Sequence, residues 1–430
     1  MRRPVLSRRA WRLPLQLAGL ALVVLPLALL SMGGWFESTG PAPAAAPAPA
    51  PSPALIERGA YLARAGNCQG CHTARGEAPY AGGRPIPTPF GTVFAPNLTP
   101  DAATGLGLWT AEDFWRALHQ GRGRDGRLLN PAFPYDNYTR IRREDSDALH
   151  AYLRSLPPVS RSAPPSELRF PYNTQAALAV WRALFFRPGV YEDAPDRDAA
   201  WNRGAYLVQG LGHCSACHGS RNALGAHGGP TDFRGGLLPG LGWYAPSLLD
   251  AADGGVAAWS PEALKTWLRE GRNEHGSALG PMAEVVLGST QHLSDPDLDA
   301  MGRYLRALPA QARPRLAAPA PEPGLRELGA KLYGQHCAAC HGERGEGVAG
   351  IYPALAGNRS VTQGEGVNLL RVMLRGGFAP ATAGNPRPFG MPPFAGVLSD
   401  REIAAVASHV RNSWGNAAGE IRTLDVLRLK

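Results

Sequence analysis

At 430 residues, with 52 Gly, 41 Pro and 44% hydrophobic side chains, the chain is too long for a single core and too apolar for disorder, and should divide into about three loop-rich domains. Its formal charge is +9, but Arg2, Arg3, Arg8, Arg9 and Arg12 supply +5 before the first acidic residue, Glu37. The remainder is too diffuse for a phosphate-binding stripe, and no basic run with interleaved aromatics follows residue 12, which excludes nucleic acid as a partner.

In chain order, the first predicted element is an apolar stretch, Leu13 to Leu30, uncharged and ended by Ser31-Met32-Gly33-Gly34. It exceeds the roughly 7–15-residue core of a signal peptide and reaches the lower end of a spanning helix, about 17–25 residues. Residues 1–36 are therefore expected to be an uncleaved membrane anchor; a removed signal is the alternative, because Ala44 to Ala50 offers small residues for cleavage. Either way the arginines stay in the cytoplasm and the bulk of the chain is exported to the periplasmic face of the inner membrane. Residues 37–53, with the Pro/Ala run Pro41 to Pro53, read as an extended spacer.

All six cysteines then fall in one pentapeptide repeated three times: Cys68-Gln-Gly-Cys71-His72, Cys214-Ser-Ala-Cys217-His218 and Cys337-Ala-Ala-Cys340-His341. The preceding segments match one another: Glu57-Arg58-Gly59-Ala60-Tyr61-Leu62, Asn202-Arg203-Gly204-Ala205-Tyr206-Leu207 and Glu327-Leu328-Gly329-Ala330-Lys331-Leu332. Each has helical spacing, so each motif should follow an opening helix. Pro-x-Leu recurs downstream at Pro96, Pro246 and Pro353. Closing amphipathic helices are predicted over Asp147 to Leu156, Leu298 to Leu308 and Glu402 to Trp414, the first two aligning without a gap. These landmarks set domains at 54–157, 198–309 and 324–416, joined by a connector at 158–197 and a Pro-rich linker at 310–323, with a tail at 417–430. The connector's apolar patch, Ala177 to Phe186, reads as packing between domains rather than a membrane contact. Few stretches alternate with period two, so the fold class is all-α with long Gly/Pro loops.

A domain of about 100 residues with this much loop has a small core, which a porphyrin would fill. Cysteines at i and i+3 share a helix face, where two thioether bonds can fix one edge of a haem, and the adjacent His can ligate the iron. Zinc and a redox dithiol are weaker alternatives: zinc leaves the constant His unexplained, and a thioredoxin-like dithiol needs a βαβ pattern that is absent. The ring N–H of each His needs an acceptor, for which the Pro-x-Leu carbonyls are candidates. For the sixth iron ligand, Met301 and Met373 lie in amphipathic helices and read as core. Met282 and Met391 are expected in Gly/Pro loops able to bend over the open iron face. The first domain has no such thioether, since no Met occurs between Met32 and Met282; His119, His150, water or a group from another domain remains. Both histidines read more simply as surface residues.

Three such repeats behind an export signal resemble the triple-haem cytochrome c subunits of membrane-bound bacterial dehydrogenases, including the alcohol, gluconate and sorbitol dehydrogenase complexes. The similarity spans about residues 54 to 416. It is carried by Trp201 to Cys214, Arg182-Ala-Leu-Phe-Phe-Arg-Pro-Gly189, Gly280-Pro-Met-Ala-Glu-Val-Val286 and Arg411-Asn-Ser-Trp-Gly-Asn416. The resemblance implies three tandem class I cytochrome c domains, three covalent haem c groups and no substrate site of its own. It also implies electrons taken from a catalytic dehydrogenase subunit carrying pyrroloquinoline quinone, flavin or molybdenum, and passed to ubiquinone or a terminal oxidase. The first domain departs from the pattern, with Phe133 where the family often has its ligand Met, and Pro131 to Arg140 is more similar to cytochromes paired with molybdenum hydroxylases. An open iron there keeps a second reading in view, a haem enzyme acting on peroxide or another small ligand.

Overall fold

The computed structural model describes residue 24 and residues 27–34, 51–238, 240–312 and 321–430. Most of the expected anchor and spacer lies outside the described residues, and among these no helix is long and apolar enough to cross a membrane.

Each motif sits between an opening helix and a closing helix that cross. In the first unit, α1 (Pro53–Ala65) begins with Ser52 capping Leu55 N and Pro53 at the first helical position. It leads into α2 (Cys68–His72), followed by α3 (Ala111–Gln120), the short α4 (Tyr135–Tyr138) and the closing α5 (Arg143–Ser155). The connector forms α6 (Gln175–Phe185). The second unit repeats the plan with α7 (Ala199–Gln209), α8 (Ser215–His218), α9 (Pro261–Glu270), α10 (Pro281–Gly288) and the closing α11 (Asp295–Arg306). The third has α12 (Pro323–His336), α13 (Ala338–His341), α14 (Arg359–Thr362), α15 (Val367–Arg375), the closing α16 (Asp400–Arg411) and α17 (Thr423–Leu427). The closing helices start two to four residues before the apolar pattern suggests, because acidic first turns, capped by Ser294 and Ser399 in the second and third units, extend them beyond the hydrophobic stripe.

The long elements are helical, but the all-α expectation missed short antiparallel pairs in the loops. They are β1 (Pro85–Thr88), β2 (Gly91–Phe94) and β3 (Glu167–Leu168) in one sheet, then β4 (Gly236–Leu238) with β5 (Trp243–Ala245), β6 (Arg272–Asn273) with β7 (Gly276–Ser277), and β8 (Gly377–Phe378) with β9 (Gly390–Met391). Strands of two to four residues are too short to show an alternating pattern in sequence.

Glycine at one repeated position lets the paired helices cross. A Cβ on Gly59 would lie 1.9 Å from the Ala148 carbonyl oxygen, one on Gly204 1.9 Å from that of Ala300, and one on Gly329 2.2 Å from that of Ala405. The sequence repeat at Gly59, Gly204 and Gly329 is therefore a packing requirement.

The first two units share one hydrophobic core, in which Leu62, Leu153, Leu207 and Leu298 are buried together, while the third has its own around Leu370, Ile403 and Val406. Two reciprocal clasps explain the pairing. Arg58 Nε donates to Asp145 Oδ1 at 2.8 Å within the first unit, and Tyr206 of the second donates to Asp145 Oδ2 at 2.6 Å. In mirror fashion Arg203 Nε donates to Asp297 Oδ1 at 2.8 Å, and Tyr61 of the first unit donates to Asp297 Oδ2 at 2.6 Å. The third repeat carries Leu328 and Lys331 at the Arg and Tyr positions and cannot build this clasp. It meets the second unit instead through polar edges, with Asn368 bridging Tyr244 N and O and Arg371 donating to Gly242 O.

Burial pushes the Asp297 carboxyl up, but hydrogen bonds from Arg203 and Tyr61 outweigh it and hold the group below the usual carboxylate range. Its depressed value means that the clasp stabilises the fold above the ordinary carboxylate pKa, about 3.9, and that this is lost as pH falls through the lowered value. Asp297→Asn is expected to cost about 1–3 kcal/mol at neutral pH, less near pH 2, in denaturant titrations of the full chain. An equal loss at both pH values would show that charge plays no part.

Candidate haem-binding sites

Each Cys-x-x-Cys-His is presented on a single helical turn after a sharp bend. Asn67 (φ 47°) and His213 (φ 36°) take left-handed backbone to turn out of the opening helices, whereas the third bend falls at Cys337, directly after His336. The six cysteines form no disulfides. Within each motif the histidine ring is held alike: His72 Nδ1 donates to Pro96 O at 2.8 Å, His218 Nδ1 to Pro246 O at 2.7 Å, and His341 Nδ1 to Pro353 O at 3.0 Å. Each acceptor belongs to the Pro-x-Leu element. With Nδ1 so engaged, the neutral tautomer leaves Nε2 as the ligand nitrogen, oriented by a second partner. Burial lowers the pKa of all three imidazoles, only partly opposed by these carbonyl bonds, which keeps them neutral and able to ligate.

The thiols behave oppositely. Burial, aided by the partner cysteine, pushes Cys68 and Cys214 up to about 12 and Cys337 to about 11. Among the described residues no group of three His, Cys, Asp or Glu side chains is placed to hold a metal ion.

The second and third motifs line one continuous cavity of about 1110 Å³ that includes Cys214, Cys217, His218, Cys337, Cys340 and His341. Pockets for one small molecule run about 300–1,000 Å³, so this one lies at or just above the upper end of that range. Its other walls are mainly apolar, among them Trp243, Leu264, Trp267 and Phe394. Met282 and Met391 both line the cavity, though neither sits in the expected loop. Met282 is in the first turn of α10, because Pro281 presets the helical φ at its first position. Met391 lies in β9, paired with Gly377 of β8. Met301 and Met373 are buried in α11 and α15 and border the same cavity from the core side.

Cys68, Cys71 and His72 do not line that cavity, although Ala65 and Asn67 just before them do. Arg84 donates to Gly70 O at 2.6 Å and to Glu284 of α10 at 2.7 Å, tying α2 to the helix that carries Met282. Cys217 is raised by burial, with Arg221 opposing and Cys71 across the interface adding to the rise. Phe133 packs 5.2 Å from the Tyr138 ring. His119 and His150, expected as surface residues, are half-buried and held by carbonyls: His119 Nδ1 lies 3.0 Å from Thr139 O and His150 Nε2 lies 3.2 Å from Trp109 O. Sequence reasoning missed Tyr138 and His213. Tyr138 is buried, with its hydroxyl 3.4 Å from Gly66 O and its ring 5.5 Å from His213. No sequence signal marks Tyr138; His213 occupies the position just before a motif cysteine, as Asn67 and His336 do.

The comparisons agree with this chemistry. A family model described as Cytochrome c matches residues 56–157 and 327–414. The cytochrome c subunit of the quinone alcohol dehydrogenase of Gluconobacter oxydans is 38% identical over 396 residues, 88% of this chain and 82% of that protein. The gluconate 2-dehydrogenase cytochrome c subunit of Pantoea cypripedii is 37% identical, covering 88% of this chain and 90% of the relative. A nicotinate dehydrogenase subunit of Pseudomonas putida is 41% identical over 84% of this chain, which spans only 30% of that longer protein. With motif, ring orientation and relatives in agreement, the chain belongs to the cytochrome c family, among the electron-transferring haem c subunits of dehydrogenases.

Proposed function

We propose that the chain is a three-haem relay that takes electrons from a catalytic dehydrogenase subunit and delivers them to ubiquinone or a terminal oxidase. It would work at the periplasmic face of the inner membrane, anchored through residues 1–36. The observation that carries this reading is the single cavity lined by the second and third motifs, with the first motif tied through Arg84 to the second unit, because sites arranged close together suit electron transfer without substrate binding. The middle unit falls outside the stretches matched by the family model, and its assignment rests on its own repeat of opening segment, glycine crossing and Pro carbonyl.

In this reading Cys68, Cys71, Cys214, Cys217, Cys337 and Cys340 would form the thioethers, His72, His218 and His341 would ligate iron, and Met282 and Met391, which line the cavity of the second and third motifs, would supply thioether sulfur there. Bound haem supplies the one-electron chemistry. The protein's part is to fix the imidazole tautomer through Pro96, Pro246 and Pro353, to exclude water with apolar walls, and to offer thioether sulfur that favours the reduced state. The named relatives serve alcohol, gluconate and nicotinate dehydrogenases, so the donor here is a dehydrogenase of that range.

The first test is stoichiometry. Full chain matured in a host that attaches haem c should keep haem stain after denaturation and carry three haem masses; one or two would refute the three-site relay. A second expectation concerns the first haem, where Phe133 offers no ligand atom. Electron paramagnetic resonance with a redox titration should reveal one centre unlike the other two, either high-spin or nitrogen-ligated at lower potential. The full chain is required, because the first two units share a core. Three equivalent thioether-ligated centres would overturn the assignment.

A further inference from the structure

The connector helix α6 has the composition of a buried helix but lies at the surface. Its sequence, QAALAVWRALF, contains one charge, Arg182, and that residue faces inward, its guanidinium over the rings of Tyr135 and Phe186 and its Nε donating to Gly33 O at 3.2 Å. Ala179 and Ala183 complete the inner face. Packing between elements thus accounts for one side of the helix only. A surface helix in water carries polar residues on its outer side. Here that side offers Ala177, Val180 and Trp181, all half-buried, and Leu184, 48% exposed.

The apolar surface continues beyond the helix. Phe170, five residues before α6, is 82% exposed, and Leu224, whose carbonyl accepts the Trp181 indole N–H at 3.0 Å, is 42% exposed. No acidic residue occurs from Leu168 to Gly189, while Arg169, Arg187 and Arg221 stand exposed around the patch. Residues 27–34 reach the same helix from its inner side. Gly33 packs so closely on α6 that a Cβ there would lie 1.8 Å from Ala179 O, and Gly34 O accepts from Arg122. The uncharged run Leu13 to Leu30 ends three residues before that contact, so its end arrives beside α6 and brings the helix close to wherever that run inserts.

We infer that the outer face of α6, with Phe170 and Leu224, is a membrane-contact surface that lies in the lipid interface, flanked by arginines at headgroup level. This rests on the proposed reading of the N-terminal segment as membrane-inserted, and adds a second attachment that orients the first unit on the bilayer. Apolar area burial and attraction to anionic headgroups act together there.

The test reconstitutes the haem-loaded full chain into vesicles of phosphatidylethanolamine and phosphatidylglycerol doped with a phospholipid bearing an acyl-chain diazirine. Illumination and peptide mapping should place lipid adducts within residues 170–187 as well as in the N-terminal segment. Leu184→Glu combined with Phe170→Glu should abolish the adducts in 170–187 with an unchanged haem spectrum. Adducts confined to the N-terminal segment would leave the anchor standing and overturn the second contact, including the case in which a protein partner covers α6. Protein that floats with no vesicle and takes no lipid would overturn both, without touching the relay.

Discussion

Gly204→Ala will destabilise the first two units together and leave the third nearly unaffected. The added methyl would stand 1.9 Å from the backbone carbonyl oxygen of Ala300, and backbone cannot turn aside as the end of a side chain can. Overpacking typically costs about 1–3 kcal/mol, and a clash with a helix backbone belongs at the upper end or above. The crossing of α7 and α11 also aligns Arg203 with Asp297, so forcing these helices apart loosens the clasp that Tyr61 reaches across to join. The loss therefore spreads into the first unit through the shared core. Gly329→Ala should instead act on the third unit, where the contact is 2.2 Å from Ala405 O and no clasp leads elsewhere. Denaturation of full-length variants, followed by hydrogen exchange of each unit, separates the two cases. If both substitutions lowered protection equally across all three units, the division into two cores would be wrong.

Met282→Leu and Met391→Leu should each lower the potential of one haem, on the order of 0.1 V within the roughly 0.8 V that axial ligation spans. Leucine nearly conserves volume, so the helix α10 and the strand pair β8–β9 should survive the change. Each variant should also lose its share of the weak near-infrared band that reports sulfur on ferric iron. Met301→Leu and Met373→Leu, whose parent side chains are buried in α11 and α15, serve as controls and should shift neither potential nor band. If Met282→Leu and Met391→Leu both left the band intact, neither thioether would be a ligand. Loss on the control variants instead would move the ligand to the core side of the cavity.

Local chemistry was legible in the sequence. Three Cys-x-x-Cys-His motifs marked the candidate haem sites, because covalent attachment and the adjacent ligand need only five consecutive residues. The repeated Gly59, Gly204 and Gly329, and the Pro-x-Leu elements, were visible as repeats before their roles were. The capped starts of the closing helices, the brief strands and the helical setting of Met282 were read less well, since each depends on hydrogen bonds or packing that hydropathy does not record. Tertiary structure alone decided the rest. Tyr61 and Asp297 are 236 residues apart, and nothing in either segment says that they meet. The same holds for Arg84 meeting Glu284, and for two motifs opening into one cavity. A repeat specifies the contacts made within each copy, which are encoded at fixed spacing, whereas the surfaces by which copies join are chosen by the few positions that differ. Here Arg and Tyr in the first two copies, against Leu328 and Lys331 in the third, pair two units into one core and leave the other with its own.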